Sequence, residues 1–211
     1  MIAETNLETM NSIVKSTFHA SRPVRARAIV ALLFLCVSAL ALHAAEIPKA
    51  GDKAPDFTLK SLDDQTVRLG ELTTKGNVVL IVLRGWPGYQ CPICDRQVQD
   101  FIRIKSDFAE AKAQIVFVYP GPADGLKAHA EAFKKWKNKE WPKEFLYVLD
   151  PDYTMVNAYG LRWDAPKETA YASTFVLDTK GVARFAKTSR SHGDRTKADD
   201  AFTEVKKLSA K

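Results

Sequence analysis

The stretch Val78-Val-Leu-Ile-Val-Leu-Arg-Gly-Trp-Pro-Gly-Tyr-Gln-Cys-Pro-Ile-Cys94 decides how the rest of this chain is read. Its first six residues, Val78 to Leu83, are an unbroken run of branched apolar side chains. A strand covered on both faces has that composition, and such strands sit centrally in parallel or mixed α/β sheets. Residues 84–90 then supply two glycines and a proline, the punctuation of a turn. Cys91 and Cys94 follow three apart, with Pro92 between them. Val98, Phe101 and Ile102 recur beyond at helical spacing with charged residues interleaved. Strand, loop, helix start, with a cysteine pair at the junction, is therefore the expected local order.

Working outward, Phe57–Leu59 and Thr66–Leu69 flank Asp63-Asp64 and predict a hairpin. Residues 114–119 (QIVFVY) predict a second buried strand, broken by Pro120-Gly-Pro122. Leu126, Ala130 and Phe133 place a helix over 125–137. A third strand is expected at 145–149, a short helix at 153–159 closed by Gly160, a terminal hairpin from 173–177 and 183–187, and a last helix over 197–208. The alternation predicts an α/β sandwich, a mixed central sheet flanked by helices with an N-terminal β-hairpin, in one domain.

The whole chain has 211 residues, 46% hydrophobic and 27% charged, which excludes a disordered or fibrous protein. Residues 1–45 differ from the rest. Arg22, Arg25 and Arg27 precede an apolar run from Ala28 to Leu42, and Ala44 and Ala45 follow. A basic flank, a short apolar run and a small-residue exit predict a secretory signal peptide cleaved after Ala44 or Ala45. The run is short of the roughly 20 residues of a membrane-spanning helix, so a membrane association is expected only if the segment is retained. Met10 is an alternative start, and Cys36 goes with the discarded segment. The expected organisation is a signal at 1–45, a linker at 46–54 and one domain at 55–211, located in the periplasm or outside the cell. The removed segment carries Lys15 and the three arginines against Glu4 and Glu8, a net of +2, so about +4 of the formal +6 remains. Lys134, Lys135, Lys137 and Lys139 with Trp136 and Trp141 read as the solvated end of an amphipathic helix, and no nucleic-acid partner is expected.

Processing leaves two cysteines. At a helix start, unpaired N–H groups and the positive end of the dipole favour thiolate over thiol, and cysteines so placed have pKa values lowered to roughly 3.5–7.5. The first sulfur is expected to be the more exposed. Zinc wants two further ligands, and His129 and His192 stand alone. A purely structural disulfide closing so small a loop removes little chain entropy. Redox chemistry is the favoured reading, and no metal is expected. Nothing indicates a cofactor: there is no Gly-x-Gly-x-x-Gly and no Cys-x-x-Cys-His.

With these residues in hand, the chain resembles the alkyl hydroperoxide reductase/thiol-specific antioxidant family, the peroxiredoxin-like branch of the thioredoxin superfamily. The resemblance rests on Gly51-Asp-Lys-Ala-Pro-Asp-Phe57, the 78–94 segment, Val118-Tyr-Pro120 and Ser173-Thr-Phe-Val-Leu-Asp178 with Gly181. It implies a thioredoxin-like fold and a site of Cys91 and Cys94, supported by Arg84, Trp86 and Pro87. Pro87-Gly-Tyr-Gln-Cys91-Pro-Ile-Cys94 fits the family's Pro-x-x-x-Thr-x-x-Cys frame with Cys91 in place of Thr, which gives the attack to Cys94. The Trp-Cys-x-x-Cys frame of thioredoxins gives it to Cys91. Before the Ser173 strand, where relatives carry an arginine or a cis-proline, this chain has Ala172. Arg84, or more remotely Arg190, is the candidate replacement charge. The implied activity is peroxide reduction by a dithiol/disulfide cycle with an external dithiol reductant. The alternatives are thiol–disulfide exchange with exported proteins, or copper carriage on the same fold.

Overall fold

The structure, a computed structural model, describes residues 45–209. The leader, with its cleavage junction and Cys36, falls on residues 1–45 and so lies essentially outside them. Seven strands form one sheet: β1 (Thr58–Ser61), β2 (Thr66–Arg68), β3 (Val78–Val82), β4 (Gln114–Gly121), β5 (Leu146–Pro151), β6 (Ser173–Leu177) and β7 (Ala183–Thr188). Their spatial order is β2-β1-β5-β4-β3-β6-β7. β3 runs parallel to β4 and antiparallel to β6, with Val82 opposite both Val118 and Ser173. The strand of the 78–82 run is thus flanked on both sides, and all five of its residues are buried. That is the mixed sheet the apolar run predicts.

The helices are α1 (Leu69–Lys75), α2 (Pro92–Arg103), α3 (Lys105–Glu110), α4 (Leu126–Lys135), α5 (Thr154–Ala158) and α6 (Ala198–Ser209). Alternation along β3 splits the core in two. Val79, Ile81 and Leu83 face Val98 and Phe101 of α2, Phe133 of α4 and Val205 of α6. Val78, Leu80 and Val82 face Leu69 and Leu72 of α1, Met155 and Val156 of α5 and Phe175. Both layers are therefore satisfied by the period-2 pattern of one strand.

Three expectations are corrected. The second hairpin strand stops at Arg68, and Leu69 opens a helix instead, because Leu69 and Leu72 reach the core only at helical spacing. β4 runs through Pro120 to Gly121, whose neighbours on β5 are Asp150 and Pro151. The Pro120 carbonyl still serves the fold by accepting the Trp86 N–H. The lysine run is also not uniformly solvated. α4 ends at Lys135, and a 3₁₀ turn at Trp136–Asn138 carries left-handed backbone at Lys137 and Asn138. This bend sends Lys139 inward, leaving its side chain 3% exposed against Asp95. The segment expected as a linker lies along the terminal hairpin, where Gly51 and Ala54 donate to the Ala183 and Gly181 carbonyls.

Candidate active site

α2 begins at Pro92, nine residues of loop after the end of β3 at Val82. Cys91 is its N-cap in an extended conformation, Pro92 is its first residue and Asp95 lies in its first turn. A proline at that position forgoes an N–H that the helix does not use. The cap itself is a sulfur: Cys91 Sγ accepts from the Cys94 N–H at 3.4 Å. Three residues on, Cys94 Sγ accepts from the backbone N–H of Arg84, also at 3.4 Å. Both cysteines are free thiols. The turn that feeds them depends on Gly85. At φ +76°, a Cβ on this residue would stand 1.8 Å from the Pro120 oxygen.

The two sulfurs titrate as a pair. The Cys94 thiol donates to the Cys91 sulfur, and that bond holds Cys91 below the ordinary thiol range despite its burial. The Cys94 N–H and the Arg195 guanidinium act in the same direction. The same bond, together with complete burial, pushes Cys94 upward. One thiolate, on Cys91, therefore faces one thiol, on Cys94.

The expected order of exposure holds, but only narrowly. Cys91 is only 2% exposed and Cys94 1%, so neither sulfur lies open to solvent. Capping explains why: to accept the Cys94 N–H, the Cys91 side chain turns into the protein. Nearby, Trp86 packs on the same cluster, stacked on His129 with ring centroids 3.6 Å apart. Pro87 sits half-buried in the same loop.

Arg84 does not direct its charge at the dithiol. Its guanidinium is paired with Glu168 at 2.7 Å, with the Lys167 carbonyl at 2.6 Å and with the Tyr89 hydroxyl. Only its backbone N–H serves Cys94. Arg190 is exposed at the surface. The guanidinium at the dithiol is that of Arg195, with Nη2 4.0 Å from Cys94 Sγ. Arg195 stands three residues ahead of α6. Its Nε is buried without a protein partner, as are Thr196 Oγ1 beside it and Gln97 Oε1 on α2. Asp95, fully buried, is held by Lys139 at 2.8 Å, by Lys137 at 3.2 Å and by the Gln99 amide at 2.9 Å. Sequence reasoning missed Arg195, Gln97 and the Asp95–Lys139 pair. Only the position of Gln97, three residues after Cys94 on one helix face, was a usable signal.

Comparison with known proteins bears out the fold and the family resemblance. The AhpC/TSA family pattern matches residues 50–186. Peroxiredoxin Bcp of Bacillus subtilis is 29% identical over 167 residues, covering 76% of this chain and 97% of the relative. The thiol-disulfide oxidoreductase ResA of Halalkalibacterium halodurans is 26% identical over 116 residues, covering 55% of this chain and 59% of its own length. Among solved structures, the peroxidoxin BcpB of Mycobacterium tuberculosis superimposes with a TM-score of 0.57 at 25% identity, covering 76% of this chain and 98% of that one.

Proposed function

This chain belongs to the AhpC/TSA family, and from that premise we propose that it is a thiol-dependent peroxidase working through a Cys91–Cys94 dithiol/disulfide cycle. The observation that carries the reading is the electrostatic asymmetry of the pair at one helix start. The Cys91 sulfur is supplied with the Cys94 N–H, the Cys94 thiol proton and the field of Arg195. The Cys91 thiolate attacks the nearer oxygen of the peroxide. An S–O bond forms, the O–O bond breaks, and sulfur gives up two electrons to become a sulfenic acid. The leaving oxygen departs as an anion, which the Arg195 guanidinium stabilises until it takes a proton from solvent and leaves as water or an alcohol. Cys94 then attacks the oxidised sulfur: an S–S bond forms, the S–O bond breaks, and hydroxide leaves with the Cys94 proton as water. An external dithiol returns the pair to its reduced state by thiol–disulfide exchange.

Export is part of the proposal. The Arg22–Arg27 flank, the apolar run from Ala28 to Leu42 and the alanines at 44 and 45 support a periplasmic or secreted location.

Sulfenic-acid trapping tests the cycle. Cys94→Ser protein treated with one equivalent of hydrogen peroxide and dimedone is expected to carry the label on Cys91 by peptide mass mapping. Label confined to Cys94 in the Cys91→Ser protein would reverse the two roles. Peroxide consumption no faster than that of the double-serine variant would remove the peroxidase altogether.

A further inference from the structure

Resting on the peroxidase reading, we infer that Tyr89 is a specificity-determining residue. In the reduced protein, the segment Trp86–Gln90 closes the dithiol to bulky reagents and admits oxidants of the size of hydrogen peroxide. Both sulfurs are buried, and the residues leading into Cys91 are fastened by two separate sets of contacts. In the first, the Tyr89 hydroxyl accepts from Arg84 Nη1, and the Arg84 guanidinium also lies against the Tyr89 ring, 5.3 Å from its centroid. Arg84 is itself immobilised by Glu168 and the Lys167 carbonyl, while its own carbonyl accepts from the Thr169 hydroxyl. In the second, Trp86 stacks on His129 of α4. Gln90 donates to the His129 carbonyl at 2.8 Å and accepts from the Tyr119 hydroxyl at 3.1 Å.

Tyr89 meanwhile shows 42% of its surface to solvent, an exposed large aromatic among the described residues. A ring held at the surface by its hydroxyl and its face is a poor contributor to the core. Its position two residues ahead of Cys91, in the segment that joins β3 to the dithiol helix, accounts for it better. Attack on an S–S or a substituted O–O bond needs the reagent in line with the sulfur, and a bulky substituent would have to occupy the space this segment fills. A water-sized peroxide needs only a small displacement of the loop. Gly85 and Gly88, with φ of +76° and +101°, flank Trp86 and Pro87 where such a displacement would be taken up. The reductive half of the cycle starts from the disulfide, in which Cys91 no longer accepts from the Cys94 thiol, and the gate is assigned to the reduced state alone.

Size-selective thiol modification tests this without depending on peroxidase activity. Reduced protein is reacted with methyl methanethiosulfonate and with 5,5′-dithiobis(2-nitrobenzoate), each rate divided by that of free N-acetylcysteine. The wild type is expected to disfavour the larger reagent at least about tenfold, since it must wait for local opening. Tyr89→Ala should close most of that gap and Tyr89→Phe, which loses only the hydroxyl pin, part of it. Hydrogen peroxide against cumene hydroperoxide should show the same ordering. Equal normalised rates in the wild type would overturn the inference, as would a gap unchanged in Tyr89→Ala. Should the reagent gap behave as expected while neither peroxide is consumed beyond the double-serine background, the gate stands and the peroxidase reading falls.

Discussion

Replacing Lys139 with methionine should destabilise the protein far more than the same change at Lys137, although both lysines touch Asp95. Lys139 Nζ lies 2.8 Å from Asp95 Oδ1 and also donates to the Phe133 and Trp136 carbonyls. Its side chain is 3% exposed, and the carboxylate it meets is fully buried. Burial lowers the Lys139 pKa, with Asp95 opposing the shift. Breaking a buried pair from one side costs about 3–5 kcal/mol, because the remaining charge is left uncompensated. Here Gln99 and the half-exposed Lys137 stay on Oδ2 and offset part of that loss. A cost of about 2–4 kcal/mol is therefore expected for Lys139→Met, against about 0–1 kcal/mol for Lys137→Met, whose pair is half in water. In urea, with a slope of about 1–3 kcal/mol/M, the first change should lower the unfolding midpoint by roughly 1–2 M and the second by a fraction of that. Adding Asp95→Asn to Lys139→Met should recover part of the loss, since no buried charge then lacks its partner. If Lys139→Met costs less than about 1 kcal/mol, or no more than Lys137→Met, the buried pair does not anchor the dithiol helix and the reasoning is wrong.

Arg195→Gln should move the pH–rate profile for alkylation of Cys91 by iodoacetamide upward by about one unit, slowing the reaction up to about tenfold below the midpoint and leaving the rate at pH 7 nearly unchanged; an unmoved profile would show that its charge does not reach the pair. Because the Cys91 pKa is lowered, thiolate persists below the ordinary thiol range. Its alkylation rate should stay level as pH falls through 8 and drop only at the depressed value, and a midpoint near about 8.5 would contradict this. Gly85→Ala forces a Cβ onto the Pro120 oxygen at a left-handed φ. It should cost more than about 2 kcal/mol or prevent folding, which thermal unfolding would register.

Much of the architecture was legible because it is written in local periodicity. The 78–83 run could only be a strand covered twice, and Leu126, Ala130 and Phe133 could only be one stripe of a helix. The cysteine pair at the head of α2 was legible for the same reason: Pro92 and the preceding glycines mark a helix start in any context. What escaped was set by distance along the chain. Arg195 lies 101 residues from the sulfur it approaches, in a Gly-Asp-Arg loop with no local mark of importance. Arg84 was read as a charge beside the dithiol, but Glu168, 84 residues on, claims its guanidinium. Lys139 looked like one more lysine in a solvated run until two left-handed residues turned it inward. The depth of Cys91 could not be read from its neighbours either, since it follows from a hydrogen bond that only the folded turn creates.

That sulfur cap has a thermodynamic corollary. Whatever lowers the energy of the Cys91 anion lowers the reduced protein and leaves the disulfide untouched, for a sulfur already bonded to sulfur carries no charge for the helix start and Arg195 to hold. Each 1.4 kcal/mol gained in this way raises the midpoint potential of the couple by about 30 mV. In the proposed cycle the Cys91–Cys94 bond is thereby made oxidising and readily surrendered, and a resting population of dithiol is favoured even where the surroundings lean toward oxidation.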